Sequence, residues 1–115
     1  MTRGAVIGLV LGLALGGCTL PEGDQVSLYD QLGDGDVRLA AATLQQSLEQ
    51  RRNGETASWR NAATGATGSI TPQRTLFTSD GGYCREYDET IVIGERSGQS
   101  RNTACRDGQG NWIWR

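Results

Sequence analysis

The chain of 115 residues contains no histidine and no lysine, and all eleven of its basic residues are arginine. Without histidine, the commonest neutral-pH general base and the commonest metal ligand are both missing, which excludes imidazole-centred catalysis and metal sites built on it. The missing lysine by itself sets no demand for guanidinium chemistry. No basic run exceeds Arg51-Arg52 and the net charge is −2, so neither a nucleic acid nor an anionic lipid surface is an expected partner. Long hydrophobic runs are also missing. The longest, Ala5 to Leu15, has eleven residues, and as a helix it covers only about 16 Å of a hydrocarbon core about 30 Å thick. Cysteine is scarce, with three residues, Cys18, Cys84 and Cys105.

What is there begins with an export pattern. Arg3 supplies a single cation ahead of the apolar run, and the run ends in Leu15-Gly16-Gly17-Cys18. This resembles a bacterial lipobox, in which small residues admit the signal peptidase and the following cysteine takes the lipid; Gly16 is a less usual occupant than alanine or serine. Residues 1–17 therefore read as a lipoprotein signal peptide and Cys18 as the acylated amino terminus. Several chains of the palmitate kind, at about 0.8 kcal/mol per buried CH₂, would anchor the protein durably. Thr19, in place of an aspartate, favours the outer membrane by analogy with lipoprotein sorting. The plain alternative is a cleaved signal with an incidental cysteine.

From Cys18 to Arg115 there are 98 residues, enough for one small domain. Residues 18–35 are polar and turn-rich and read as a flexible tether that holds the domain about 25 Å from the lipid. Within it Val26, Leu28, Tyr29 and Leu32 can form a helical turn that docks on the domain. Residues 36–115 form that domain. A helix is expected from Asp36 to Arg52, capped by Asp34 or Asp36, with Val37, Ala41, Leu44 and Leu48 on its buried face. Arg51-Arg52 falls in its last turn, Asn53-Gly54 provides the stop, and Gln45, Gln46 and Glu49 face solvent. Strands follow at Thr56–Ala62, Gly68–Thr78, Tyr83–Ile93, Gln99–Arg106 and Asn111–Trp114, separated by glycine-bearing turns at 80–82, 94–98 and 107–110. The expected fold is α+β, one N-terminal helix packed on a four- to five-stranded antiparallel meander.

In an oxidising compartment Cys84 and Cys105 read as one disulfide, and their near-symmetric placement about the 94–98 loop puts them opposite or nearly opposite on a hairpin. Trp112 and Trp114 share a face, and Trp59 can meet them or the helix; all three read as core.

Trp59-Arg60-Asn61, Gly65 through Gly68, Ile70-Thr71-Pro72, Cys84-Arg85-Glu86-Tyr87, Thr90 through Gly94, Thr103-Ala104-Cys105-Arg106 and Asp107 through Trp112 together resemble the surface-antigen domain of the rickettsial-type 17 kDa outer-membrane antigen family. The likeness covers about Leu39 to Trp114. It implies a lipoprotein of the bacterial envelope without established enzymatic activity, and it supplies no catalytic residues. Members commonly carry a glycine-zipper segment between the lipid and this domain. Here the stretch from Thr19 to Asp36 is polar, without a small-xxx-small apolar run, so roles that depend on a zipper do not carry over.

Catalysis has one set of candidates, Glu86, Asp88 and Glu89, with Glu86 and Asp88 on one strand face about 7 Å apart. Solvated strand faces look the same, and the chain is read as no enzyme. A thiol nucleophile has no histidine to activate it. Asp24, Asp34 and Asp36 offer oxygen ligands without a calcium-type spacing, so no metal and no cofactor is expected. The glycines sit in turns and not in a strand–loop–helix phosphate cradle. Arg85, Arg101 and Arg106 can cluster on the hairpin, where nearby acids make internal ion pairs the simpler account.

Two functional readings remain. One is a structural or interacting envelope lipoprotein, held to the membrane through its lipid and meeting other envelope proteins or peptidoglycan. The other is a periplasmic binding module such as a lysozyme-type inhibitor, for which no inhibitory loop signature is found; an inhibitory stoichiometric complex with a lysozyme would separate the two.

Overall fold

Gly33 has extended backbone (ψ 172°) and Asp34 is already helical, so helix α1 spans Asp34–Gln50, two residues earlier at its start than expected. The structure is a computed structural model that describes residues 28–115; Cys18, the expected signal peptide and the first part of the expected tether lie outside the described residues. Neither Asp34 nor Asp36 is the N-cap. Asp36 sits inside the first turn, where one carboxylate oxygen accepts from the Gly33 N–H at 3.0 Å. The other oxygen accepts from Asn61 Nδ2 and Thr64 Oγ1, each at 2.7 Å. The hydrogen bond from Thr64, followed by that from Gly33, holds this buried carboxyl below the usual aspartate range.

That network rotates the helix. Its inward face is Asp36, Ala40, Ser47 and Leu48 with Leu44 half-buried, whereas Ala41, expected inside, is exposed. At the other end Arg51 turns extended (ψ 148°), so Arg51-Arg52 lies beyond the last turn. Gly54 does take a left-handed φ of 91°, but past the helix, where its N–H donates to the Pro72 carbonyl at 2.7 Å.

The sheet is a five-stranded antiparallel meander in sequence order: β1 Ala57–Arg60, β2 Thr67–Phe77, β3 Tyr83–Ile93, β4 Arg96–Arg106 and β5 Trp112–Trp114. The α+β class holds, with one helix on one face. β3 has the expected ends. β4 starts three residues before the expected Gln99, because the β3–β4 connection is a two-residue turn, Gly94-Glu95, with Gly94 at φ 62°. Ile93 then pairs with Arg96, and the same register sets Cys84 directly opposite Cys105, where a disulfide joins them across a Cα separation of 3.9 Å. The bridge ties the hairpin at the end far from its turn.

Alternation divides the sheet cleanly. One face carries Cys84, itself buried, and then Glu86, Asp88 and Thr90, which reach solvent with the partners Arg74 and Arg101. The other carries Trp59, Ile70, Tyr87, Ile91, Ala104 and Trp112 beneath the helix. The core forms two clusters: Leu28, Ala40, Trp59, Ala66 and Ile91 near the helix start, and Leu48, Ile70, Tyr87, Ala104 and Trp112 near its end. Trp59 lies flat over Gly68, its cross-strand partner, with the indole nitrogen 2.3 Å from where a Cβ would stand. Glycine is required there by space alone.

Leu28 belongs to this core. It precedes a 3₁₀ turn, η1 (Tyr29–Gln31), and its side chain fills the notch above Gly98. Leu28, Tyr29 and Leu32 thus form the docked turn that their spacing suggests.

Candidate functional site

Helix α1 lies over β1 and β2. Its Leu44 and Leu48 side chains also reach Tyr87, Ala104 and Trp112, and the part of the β3–β4 face around Glu89, between these contacts and η1, is left open. Between these elements lies a groove of about 590 Å³, lined by Leu28, Tyr29, Leu44, Tyr87, Glu89, Ile91, Ser100, Asn102 and Trp114 among others. Such a volume suits a small ligand or a single large side chain.

Its floor follows from strand register. Along β3, Tyr87, Glu89 and Ile91 point to this face, and β4 sets Asn102, Ser100 and Gly98 opposite them. On the β2 side Glu89 faces Ile70, which is fully buried. Glu89 is therefore a carboxylate embedded between apolar neighbours, and only 9% of it is exposed. Asn102 spends its amide on Ser100, at 3.0 Å. No hydrogen bond or ion pair to Glu89 occurs among the described residues. Burial pushes its carboxyl up from an ordinary 4.5 to about 7. The hydroxyls of Tyr29 and Tyr87 are raised too, first by burial and then by the charge of Glu89.

The carboxylates grouped by sequence part company here. Glu86 and Asp88 do share a face, but it is the solvent face, and each is held by an arginine: Arg74 Nε lies 3.3 Å from Glu86, and Arg101 grips Asp88 through two contacts of 2.6 and 3.0 Å. The side-chain contact with Arg101 holds the Asp88 carboxyl below its usual range, which suits a standing anion and not a proton donor. Glu89, the third acid of that group, points to the opposite, buried face, which the sequence reading does not separate from the other two. The signal was available in the alternation Tyr87, Glu89, Ile91, an acid in an otherwise apolar row.

Arg85 also departs from the ion pair expected of it. It is buried, and from β3 its guanidinium reaches the end of α1, donating to the Leu48 and Arg51 carbonyls at 2.7 and 2.8 Å and to Asn53 Oδ1 at 2.7 Å. A side chain 37 positions away thereby satisfies carbonyls that every helix leaves open at its C-terminus. Arg106 does make an ion pair, with Glu49 at 3.0 Å, and Arg101 with Asp88, so the three arginines do not assemble into an anion site.

Gln45 and Glu49, expected on a solvent face, fasten the last strand. The Gln45 amide donates to the Trp112 carbonyl at 2.7 Å and accepts from its N–H at 2.8 Å, while Glu49 accepts from the indole at 2.9 Å. Trp59 and Trp112 are core as expected, but Trp114 is 68% exposed and forms a wall of the groove. Among the described residues no group of three or more cysteine, aspartate or glutamate side chains is placed to hold a metal ion.

Fold and groove together define a small disulfide-bonded α+β domain in which one sheet face is half covered and a buried acid faces the uncovered part. Residues 46–113 match the family described as 17 kDa outer membrane surface antigen. The chain is similar to curated proteins named 17 kDa surface antigen: 41% identical over 81 residues to that of Rickettsia conorii, covering 70% of this chain and 51% of the relative. The identity is 38% over 87 residues for Rickettsia bellii (72% and 55%) and 42% over 80 residues for Rickettsia amblyommatis (68% and 52%). The chain belongs to the 17 kDa outer membrane surface antigen family. It spans about half the length of the curated relatives it matches. No solved structure matches it.

Proposed function

We propose that the protein is a lipid-anchored, non-enzymatic lipoprotein of the bacterial outer membrane, whose folded domain serves a structural or interaction role towards other envelope proteins or peptidoglycan. The observation that carries this reading is the family match across 46–113, combined with the Leu15-Gly16-Gly17-Cys18 motif upstream. In this scheme residues 1–17 are removed, Cys18 is acylated, and a short tether leads to Leu28, where the chain meets the domain core. The disulfide between Cys84 and Cys105 suits an oxidising compartment. Two of the three acids once considered for catalysis are neutralised by arginines on the solvent face, which supports a binding role over a chemical one.

The test is mass analysis and fractionation of the chain produced in a double-membrane bacterium. The expected result is an amino terminus at Cys18 carrying acyl chains, recovered with the outer membrane, and Cys18→Ala accumulating unacylated. A native protein that lacks acyl groups and stays in the soluble fraction would overturn the proposal.

A further inference from the structure

We propose that the groove between α1, η1 and the β3–β4 half of the sheet is a binding site for an aliphatic primary ammonium, whose charged end pairs with Glu89 and whose alkyl stem lies along Leu44, Ile91 and Trp114.

The argument starts from an incomplete pairing. Glu89 is more than nine-tenths buried and lines an open groove. A buried carboxylate normally has a cation or several donors, because an ionised group taken out of water without them is disfavoured. Nothing facing this one meets the need. The helix presents Ala40 and Leu44 to the groove, η1 presents Tyr29 and Asp30, β4 presents Ser100 and β5 presents Trp114, all neutral or acidic. The arginines in reach of the sheet are engaged elsewhere: Arg85 at the helix end, Arg101 with Asp88, Arg106 with Glu49, and Arg96 with Gln31. A cationic ligand entering the groove would therefore meet an acid with no competing cation beside it.

The walls narrow its chemistry. Tyr29, Tyr87 and Trp114 are aromatic, and an ammonium is attracted to aromatic faces as well as to the carboxylate. Leu44 and Ile91 add aliphatic surface that a hydrated inorganic ion could not use. A compact ammonium on a flexible stem fits this combination, and the chain contains no lysine, so neither its own side chains nor those of a second copy can provide one. The source is then either a free amine or the lysine side chain of another protein.

The full-length chain in a non-ionic detergent, labelled for NMR, is titrated with n-pentylammonium, with n-pentanol as the neutral counterpart and with a short lysine-containing peptide as the second source. Pentylammonium should move the resonances of Tyr87, Ile91 and the Trp114 indole, and pentanol should bind far more weakly. A carboxyl that titrates near 7 is ionised about tenfold more at about pH 8 than at about pH 6, so apparent affinity should rise about tenfold over that interval. Glu89→Gln, isosteric and neutral, should remove that pH dependence while leaving the melting curve cooperative. Binding of the peptide as well identifies lysine side chains as competent ligands; binding of pentylammonium alone identifies a free amine. Equal binding of amine and alcohol, an unchanged pH profile in Glu89→Gln, or no binding of either amine would overturn the proposal.

Discussion

Glu89→Gln should raise stability at neutral pH and leave it unchanged in mild acid, an unusual direction for the removal of an acid. In the folded chain the Glu89 carboxyl titrates near 7, and in the unfolded chain near its ordinary 4.5. Between those values the folded state holds a proton that the unfolded state has released, so the contribution of Glu89 to stability is greatest below about pH 4.5 and is lost as pH rises towards 7. At about 1.4 kcal/mol per pH unit, the interval corresponds to an order-of-magnitude loss of about 3 kcal/mol. Asp36, Glu49, Asp80, Asp88 and Asp107 are all held below their ordinary range and act in the opposite sense, their contributions disappearing as pH falls below the usual carboxylate values. Their window lies at lower pH and is common to both proteins, so the difference between wild type and Glu89→Gln isolates the one group. Urea unfolding across about pH 4.5 to 8, with equal m-values, measures it. The variant should gain about 3 kcal/mol on the wild type over that range, and a gap that does not change with pH would refute the assignment of Glu89 to a buried, unpaired site.

Arg85→Met keeps the stem of the side chain and removes its donors, leaving the Leu48 and Arg51 carbonyls and Asn53 without partners. At about 1.5–3 kcal/mol for a charged hydrogen bond, the loss should reach about 3 kcal/mol in urea unfolding, against less than about 1 kcal/mol for Arg101→Gln on the solvent face. Gly68→Ala places a methyl group within 3 Å of three indole atoms of Trp59, so the ring has to leave its seat. The expected results are a lowered melting temperature and a red-shifted tryptophan emission, and Gly108→Ala, in open space, should show neither.

What was legible in the sequence was what depends on near neighbours. The β3 ends, the glycine turns, the cysteine pairing and the single helix all follow from local alternation, spacing and turn chemistry. Errors arose where a distant residue overrules a local preference. The helix face differs from the apolar spacing because Asn61 and Thr64 draw Asp36 inward, and hydropathy alone places an aspartate outside. Arg51-Arg52 reads as the cation pair of the last helical turn because of its place near the carbonyl end, while the cation that acts there is Arg85 from β3. Gln45 and Glu49 read as solvent-facing residues because nothing in their surroundings along the chain reveals the strand residue 67 and 63 positions later that they hold. The start of β4 is hidden because glycine and serine between 94 and 98 suggest loop, although Gly98 is a strand residue kept small to admit Leu28. The groove went unseen for a related reason: its depth comes from where the helix does not reach.

The Gln45 amide has a consequence for how many copies of this domain can share a small area. A three-residue final strand exposes backbone groups that invite any neighbouring extended segment to add itself on, which is how ordered aggregates begin. Here both hydrogen-bonding groups of Trp112 are already taken, in the pattern an incoming strand would need to copy. A newcomer would first have to displace a side chain belonging to the same fold, so at Trp112 this border resists the addition of a further strand.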